Sequence, residues 1–244
     1  MPVRTLAMLA VLAAIATSIS ALAMTVTPIH VEMTSAGPAS RTRISVVNDS
    51  NTALPVEITI RRVTLNEAGV ATTSDIGEEF FVMPQQAMIA PGATQNFRIQ
   101  WLGEPLIEKS GSYLLYVNQL PVKLPKRERA LQIVTAMGVM INVAPPRGDP
   151  SLQVVATGVI ADKQGRRHPT ITVQNSSKIH ALFPQATIHL SSGNWSATLT
   201  PATLSQTIGI GLVQPGQRRT FALPIDLAAQ ITSVQATIDF NPKR

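Results

Sequence analysis

The sequence predicts an all-β fold of two β-sandwich domains in tandem, joined by a short proline-rich linker. Three observations predict it: short alternating apolar stretches along almost the whole chain, turn-forming Pro, Gly, Asn and Asp between them, and a pair of repeated motifs. The length of 244 residues exceeds one seven-strand sandwich and suits two. No stretch has the apolar spacing expected of a helix of three turns.

The start of the chain has the layout of a secretory signal peptide. One arginine precedes an apolar run from Leu6 to Ala16, and small residues follow at positions 21–23. The run is shorter than the roughly 20 apolar residues that a membrane span needs, which argues against an anchor. We therefore expect residues 1–23 to be removed on export, leaving a chain outside the cytoplasm that does not insert into the membrane.

Composition excludes several classes of protein. There are no cysteines, so an exported chain is not held together by disulfides and must depend on its apolar core. The net charge of +6 is modest and the aromatic content is 4%, whereas a nucleic-acid platform combines basic residues with stacking aromatics. We expect no nucleic-acid partner.

A domain boundary is predicted at Ala144–Pro150, where three prolines and a glycine cannot continue a central strand. This gives domains of residues 24–145 and 146–244. The motif NDSNTALPVEITI from Asn48 is echoed by NSSKIHALFPQATI from Asn175, and IAPGATQNFRI is echoed by LVQPGQRRTFAL. Two copies of one Ig-like sandwich account for this repeat.

The sequence contains no catalytic constellation. Its four histidines lack the spacing of a zinc-binding helix, and there is no nucleophile elbow, phosphate loop or dinucleotide-binding glycine motif. We therefore expect neither enzymatic activity nor a metal or other cofactor.

One predicted strand is unusually long. From Leu131 to Val143 the odd positions are apolar apart from Thr135, and at roughly 3.3 Å per residue this strand would span about 40 Å. Typical strands have about five or six residues. Alternation alone does not decide whether the odd row faces the domain's own core or another protein, because any half-buried strand alternates.

The chain resembles the PapD-like periplasmic chaperones of the chaperone–usher pathway. The resemblance lies in four motifs of the first domain and in their order before a second Ig-like domain. These motifs are VNDSNTALPV, IAPGATQNFRI, SYLLYVNQLP and LQIV, the last of which opens the seventh strand of the family. A divergent, archaic or alternative branch is implied.

The resemblance implies a function in pilus assembly. Chaperones of this family act in the periplasm, bind pilus or fimbrial subunits by donor-strand complementation and deliver them to an outer-membrane usher. The donor residues implied here are Leu131, Ile133, Thr135, Met137 and Val139. The even positions Val134, Ala136 and Met140 are then expected to face the domain's own interior. An exposed strand edge also invites a self-capping dimer.

The family's basic anchor for the subunit's terminal carboxylate is missing from this sequence. Alignment places His30 and Met140 where an arginine and a lysine are expected. Another cation must therefore take this role, or the terminus stays hydrated. Arg98 is the first candidate anchor, followed by Arg43, Lys123 and His30 itself.

Two alternatives remain at this point. The basic residues of the segment Pro121–Ala130 either meet an acidic usher surface or are solvated. The whole chain is alternatively a surface or adhesive structural protein of two Ig-like domains, and the presence or absence of an usher gene nearby would discriminate.

Overall fold

The computed structural model describes residues 24–121 and 134–242, which form two β-sandwiches. This confirms the predicted all-β class. The strands before residue 146 are β1 (Thr25–Thr27), β2 (His30–Thr34), β3 (Arg41–Val47), β4 (Leu54–Leu65), β5 (Ala71–Ile76), β6 (Phe80–Met83), β7 (Gln86–Ile89), β8 (Thr94–Trp101), β9 (Gly111–Gln119) and β10 (Ala136–Ala144). A 3-10 turn at Pro38–Ser40 precedes β3.

Two sheets form the first sandwich. One has the strand order β1-β3-β8-β6, and the other has the order β2-β10-β9-β4-β5 with β7 also paired to β4. Alternate residues of each strand point inward, so Ile44 and Phe97 of the first sheet meet Ile58, Leu115 and Ile141 of the second. These five side chains are at most 2% exposed.

The second sandwich follows the linker. Its strands are β11 (Gln153–Ala161), β12 (Arg167–Gln174), β13 (Ala181–Leu182), β14 (Ala186–Ser192), β15 (Trp195–Leu199), β16 (Leu212–Val213), β17 (Arg218–Ala222) and β18 (Gln235–Phe240). They pair in the orders β11-β12-β17, β13-β16 and β15-β14-β18. A separate core surrounds Ile171, Phe183, Ile188 and Phe221, so the predicted division between residues 145 and 146 falls between two cores.

A short helix, α1 (Pro201–Ile208), and a 3-10 turn at Phe183–Gln185 complete the second domain. The hydroxyl of Thr200 accepts a hydrogen bond from the amide of Thr203, and Pro201 occupies the first helical position. Threonine followed by proline is a usual helix start. The helix is too short for apolar periodicity to reveal it, and the sequence analysis missed it.

The internal repeat is visible as two equivalent asparagine turns. In the first domain, buried Asn48 donates from Nδ2 to the carbonyl oxygens of Thr52 (2.7 Å) and Ile89 (2.9 Å). Its Oδ1 accepts from the amide and hydroxyl of Ser50. Its carbonyl accepts from the amide of Gly92, whose positive φ of 69° forms the Pro-Gly turn.

The second domain repeats this arrangement around Asn175. Its Nδ2 donates to the carbonyl oxygens of Ile179 (2.8 Å) and Val213 (3.0 Å), and its Oδ1 accepts from the amide and hydroxyl of Ser177. Its carbonyl accepts from Gly216, which has a φ of 73°. In each domain, therefore, the asparagine joins the two motifs that the sequence repeats.

The two domains contact each other through an apolar cluster and several hydrogen bonds. Val63, Leu65 and Leu212 are buried together, with Leu114, Met140, Leu182 and Ile210 packed around them. The side chain of Gln214 accepts from the amide of Leu65 (2.8 Å) and donates to the carbonyl of Val63 (2.9 Å). The outer face of the β2-β10-β9-β4 sheet is thus covered at one end by the second domain.

Candidate functional site

The first half of β10 presents an open sheet edge. β1 pairs with β3 in one sheet, whereas β2, which follows Pro28, pairs in parallel with β10 in the other. That pairing begins at Met140, whose amide donates to the carbonyl of Ile29 (3.0 Å). Within the described part of the chain, Ala136–Val139 pairs with β9 alone.

The hydrogen-bonding groups at this edge follow from strand geometry. The amide of Gln119 in β9 donates to the carbonyl of Thr135 (2.9 Å). The amide and carbonyl of one strand residue point to the same side, and this side alternates from one residue to the next. The backbone groups of the odd residues of β10 therefore point toward β9. The backbone groups of the even residues point away from β9, as the hydrogen bond from the Met140 amide to the Ile29 carbonyl shows. The backbone groups of Ala136 and Gly138 therefore point out of the open edge.

The odd side chains run from the core out to this edge. Val139 and Ile141 are 0% exposed in the core of their own domain, and Met137 is half-buried against the same core. Thr135 is also half-buried. The prediction that Val139 contacts a partner is therefore wrong for this structure, because the sandwich already encloses its side chain.

The predicted orientation of the even positions is also wrong. Val134 is 51% exposed and Ala136 is exposed, so neither lies in the interior. Met140 lies in the contact between the domains. Val139 and Ile141 of the odd row fill the domain's own core instead, under the opposite sheet. Leu131 and Ile133 of the predicted donor row, and Lys123, lie outside the described residues.

The cleft between the domains contains a carboxylate of the chain itself. Glu32 on β2 lies 2.6 Å from Nε2 of His30 through Oε1 and 2.5 Å from Nε2 of His180 through Oε2. Asn142 on β10 donates to Oε1 of Glu32 (2.8 Å). The chain thus brings together groups from both domains around one acidic side chain.

Electrostatics keep Glu32 ionised. Burial favours its neutral form, but hydrogen bonds from His180, His30 and Asn142 outweigh this effect and lower the pKa of Glu32 from 4.5 to about 2. An ionised carboxylate only accepts hydrogen bonds, so both histidines donate to it through Nε2. His180 is held in place by its amide, which donates to Oγ of Ser110 (3.1 Å) in the first domain.

The two positions where the family has basic residues therefore have other contacts here. His30 binds Glu32, and Met140 packs near Leu182 and Leu212 of the second domain. A cavity of about 360 Å³ lies beside this cluster, and both Glu32 and Asp149 line it. A second cavity of about 310 Å³ lies on the side of His30 and α1. The acidic lining disfavours a second carboxylate.

The structure does not place Arg98 or Arg43 in the cleft. Both are exposed on the outer face of the β1-β3-β8-β6 sheet, where they lie opposite each other in the β3–β8 register. Their neighbours Ile44, Phe97 and Ile99 point inward, and alternation sends the arginines outward. The prediction that either arginine anchors a carboxylate between the domains is therefore wrong.

The other members of the cleft cluster were not predicted from the sequence. Asn142 is a polar residue in an otherwise apolar stretch, MINVA, and it is 0% exposed. This interruption was a signal of a buried polar network. Nothing local to Glu32 or His180 indicates that they meet, since they are far apart in sequence and in different domains.

Two classes of site are not found among residues 24–121 and 134–242. No group of three or more His, Asp or Glu side chains there is arranged to hold a metal ion. No helix in these ranges has the length and apolar character needed to cross a membrane.

Comparison with known proteins identifies the fold. No protein-family profile and no curated protein sequence matches the chain. Among solved structures, the Salmonella enterica SafA pilin–SafB chaperone complex matches with a TM-score of 0.54 and 12% identity, over 92% of this chain and 99% of that chain. The class 5 fimbriae chaperone CfaA matches with a TM-score of 0.52 and 13% identity, over 89% and 99%.

A third match is the CsuC–CsuE chaperone–tip adhesion subunit complex of Acinetobacter baumannii. It has a TM-score of 0.50 and 14% identity, over 85% of this chain and 94% of that chain. The matches span both domains and nearly the full length of each relative. The chain therefore has the two-domain Ig-like fold of these fimbrial chaperones, which is the fold expected from the PapD-like resemblance.

Proposed function

We propose that the chain is a periplasmic chaperone that binds pilus or fimbrial subunits by donor-strand complementation. The observation that carries the proposal is the open edge of β10 at Ala136–Val139, beside an apolar row that continues out of the domain core. A guest strand added there receives backbone hydrogen bonds from Ala136 and Gly138. The side chains of the apolar row enter the core of the guest domain.

The donor row of the proposal is Leu131, Ile133, Thr135 and Met137. Val139 is excluded because the chaperone's own core contains it. Full burial of each Leu, Ile or Met side chain in a guest contributes about 1.5 to 3 kcal/mol before ordering costs. Thr135 contributes less and suits a shallow or bulky guest site.

The proposed complex has no carboxylate anchor between the domains. Glu32 already pairs with both histidines of the cleft, His30 and His180. Asp149 adds a second negative charge to the lining of the adjacent cavity. Beyond Met140 the open edge is closed by β2, so a guest strand ends near Ile29. Its terminal carboxylate then stays hydrated at the mouth of the cleft.

The backbone part of the proposal is tested by Ala136→Pro. The substitution removes an amide that points away from β9, so the domain retains its own ladder, and proline is tolerated on such edges. Co-expression with the fimbrial subunit encoded beside the gene should give a soluble one-to-one complex for the wild type. Ala136→Pro should weaken it at least tenfold, whereas Ala136→Ser, which keeps the amide, should not.

The side-chain part is tested by Ile133→Asp combined with Met137→Asp. A charged row cannot enter an apolar guest core, so this variant should form no complex. Val134→Asp is the matched control, because Val134 is exposed on the opposite face. Normal complex formation by the double variant would refute the donor row.

Delivery to an outer-membrane usher completes the proposed function. The fold of the fimbrial chaperones and the signal-like start of the sequence support it. Residues 1–23 lie outside the described residues, so export is tested by cell fractionation: the chain should be recovered in the periplasm, shortened by its signal. Recovery on the cell surface without a bound subunit would favour the structural-protein alternative instead.

A further inference from the structure

The outer face of the β1-β3-β8-β6 sheet carries two rows of outward-facing side chains across three strands, all of them exposed except Gln100, which is half-buried. Arg43, Arg98 and Met83 form one row by the strand registers, and Arg41, Gln100 and Phe81 form the next. Neighbouring residues in a row are about 5 Å apart at their β-carbons. We call these six residues the arginine face.

The charges of the arginine face are not balanced within the described chain. Arg43 lies directly opposite Arg98, and like charges in this position destabilise a sheet. The arginine ion pairs among residues 24–121 and 134–242 belong instead to Arg62 and Arg166. The sandwich therefore gains no stability from placing these two arginines opposite each other.

The same face also exposes large apolar side chains. Phe81 is 42% exposed and Met83 is 56% exposed, and both lie on β6, at the margin of the two rows. Their neighbours Phe80 and Val82 point into the core, so β6 does not need Phe81 and Met83 for packing. Arginine, methionine and aromatic residues together are the composition of a protein interface.

We propose that the arginine face binds an acidic protein segment that also carries apolar side chains. Carboxylates of the partner pair with Arg41, Arg43 and Arg98, and its apolar groups cover Phe81 and Met83. Removal of the Arg43–Arg98 repulsion by the partner's carboxylates adds to the binding free energy. The inference does not depend on the donor-strand function, because this face belongs to the sheet opposite β10.

Charge argues against occupants from the chain itself. The chain has a net charge of +6, so a second copy would bring further positive charge to this face. The segment Val122–Ile133 carries Lys123, Lys126, Arg127 and Arg129 against one acidic residue, Glu128. An acidic partner is the occupant that the charges favour.

The probe is a fluorescein-labelled peptide of about twelve residues in which Glu or Asp alternates with Leu or Phe. Binding is measured by fluorescence anisotropy with the full chain. We expect Arg43→Glu with Arg98→Glu to weaken binding at least tenfold, and Phe81→Ser with Met83→Ser at least threefold. The matched control is Arg147→Glu with Lys163→Glu, which makes the same charge change at exposed sites elsewhere and should stay within twofold.

Four results would overturn the proposal. They are no measurable binding to the wild type, equal weakening by the control pair, equal binding of a peptide with Gln and Asn in place of its acidic residues, and tighter arginine-dependent binding of a single-stranded oligonucleotide. A purely structural role is tested separately with Arg98→Glu, which places opposite charges across the two strands. We expect its Tm to be unchanged or raised, and a fall of more than about 5 °C would assign these arginines to stability.

Discussion

Oε2 of Glu32 in the first domain lies 2.5 Å from Nε2 of His180 in the second. The contact joins the domains at the place where a basic anchor was expected from the sequence. His30, which stands at the arginine position, binds the other oxygen of the same carboxylate. The chain therefore provides its own anion in the cleft.

Acid should weaken the protein through Glu32. Its pKa is lowered from 4.5 to about 2 in the folded state, so the unfolded chain takes up the proton first as the pH falls. The stabilisation is complete above about pH 5 and is lost between pH 4.5 and 2. Because the side chain is half-exposed and screened by solvent, we expect a loss of about 1 kcal/mol.

Urea unfolding at pH 5, 4 and 3 checks this prediction. Glu32→Gln should remove this part of the pH dependence, whereas Glu78→Gln, at an exposed turn, should retain it. An unchanged pH dependence in Glu32→Gln would show that the cleft carboxylate is not the source.

The two repeated asparagines should contribute strongly to stability. Asn48→Ala and Asn175→Ala each leave buried carbonyl groups without their donors, which costs about 2 to 4 kcal/mol for two lost bonds. Ser50→Ala, which removes a hydroxyl near the surface, should cost less than about 1 kcal/mol. Urea unfolding measures all three, and equal costs for Ser50→Ala and Asn48→Ala would contradict the central role of the asparagine.

Met140 should stabilise the contact between the domains. It is partly buried against the cluster that contains Leu212, so Met140→Ala should lower the free energy of unfolding by about 1 to 2 kcal/mol. Met88→Ala removes a methionine that is 66% exposed on β7 and should change it by less than about 0.5 kcal/mol. Similar effects in calorimetry would argue against an interdomain role.

Gln214 should protect the end of β4 by hydrogen bonding like a neighbouring strand. Gln214→Ala leaves the amide of Leu65 and the carbonyl of Val63 unpaired, which costs about 1 to 3 kcal/mol. Hydrogen exchange at the Leu65 amide should accelerate at least tenfold. Exposed Gln235 provides the control, since Gln235→Ala should leave that amide protected.

Sequence patterns located most of the fold because their causes are local. Alternation along β3, β8, β9 and β10, together with turn residues between them, follows from the two-residue period of a strand. The repeat around Asn48 and Asn175 was visible because the same side-chain hydrogen bonds are needed in each sandwich. The resemblance to fimbrial chaperones then followed from the order of these motifs.

The site was predicted less well, for a physical reason. A strand whose apolar and polar side chains alternate has two faces, and its sequence does not say which neighbours each face contacts. The side chain of Val139, assigned to the donor row, lies in the core of its own domain, and the even positions Val134 and Ala136 were assigned to the wrong side. Arg43 and Arg98 were likewise chosen for their charge, without knowledge of the face on which they lie.

By itself the sequence determined the all-β class, the two domains and the asparagine turns, whereas of the long strand predicted from Leu131 the structure describes Ala136–Ala144 as β10 and Leu131–Ile133 lie outside the described residues. Only the tertiary structure decided that β2 joins β10 at Met140, that Ala136–Val139 has β9 as its sole partner among the described residues, and that Glu32 meets His180. These features depend on contacts between segments distant in the chain. Strand crossing and domain docking set them, and no local pattern of residues records either.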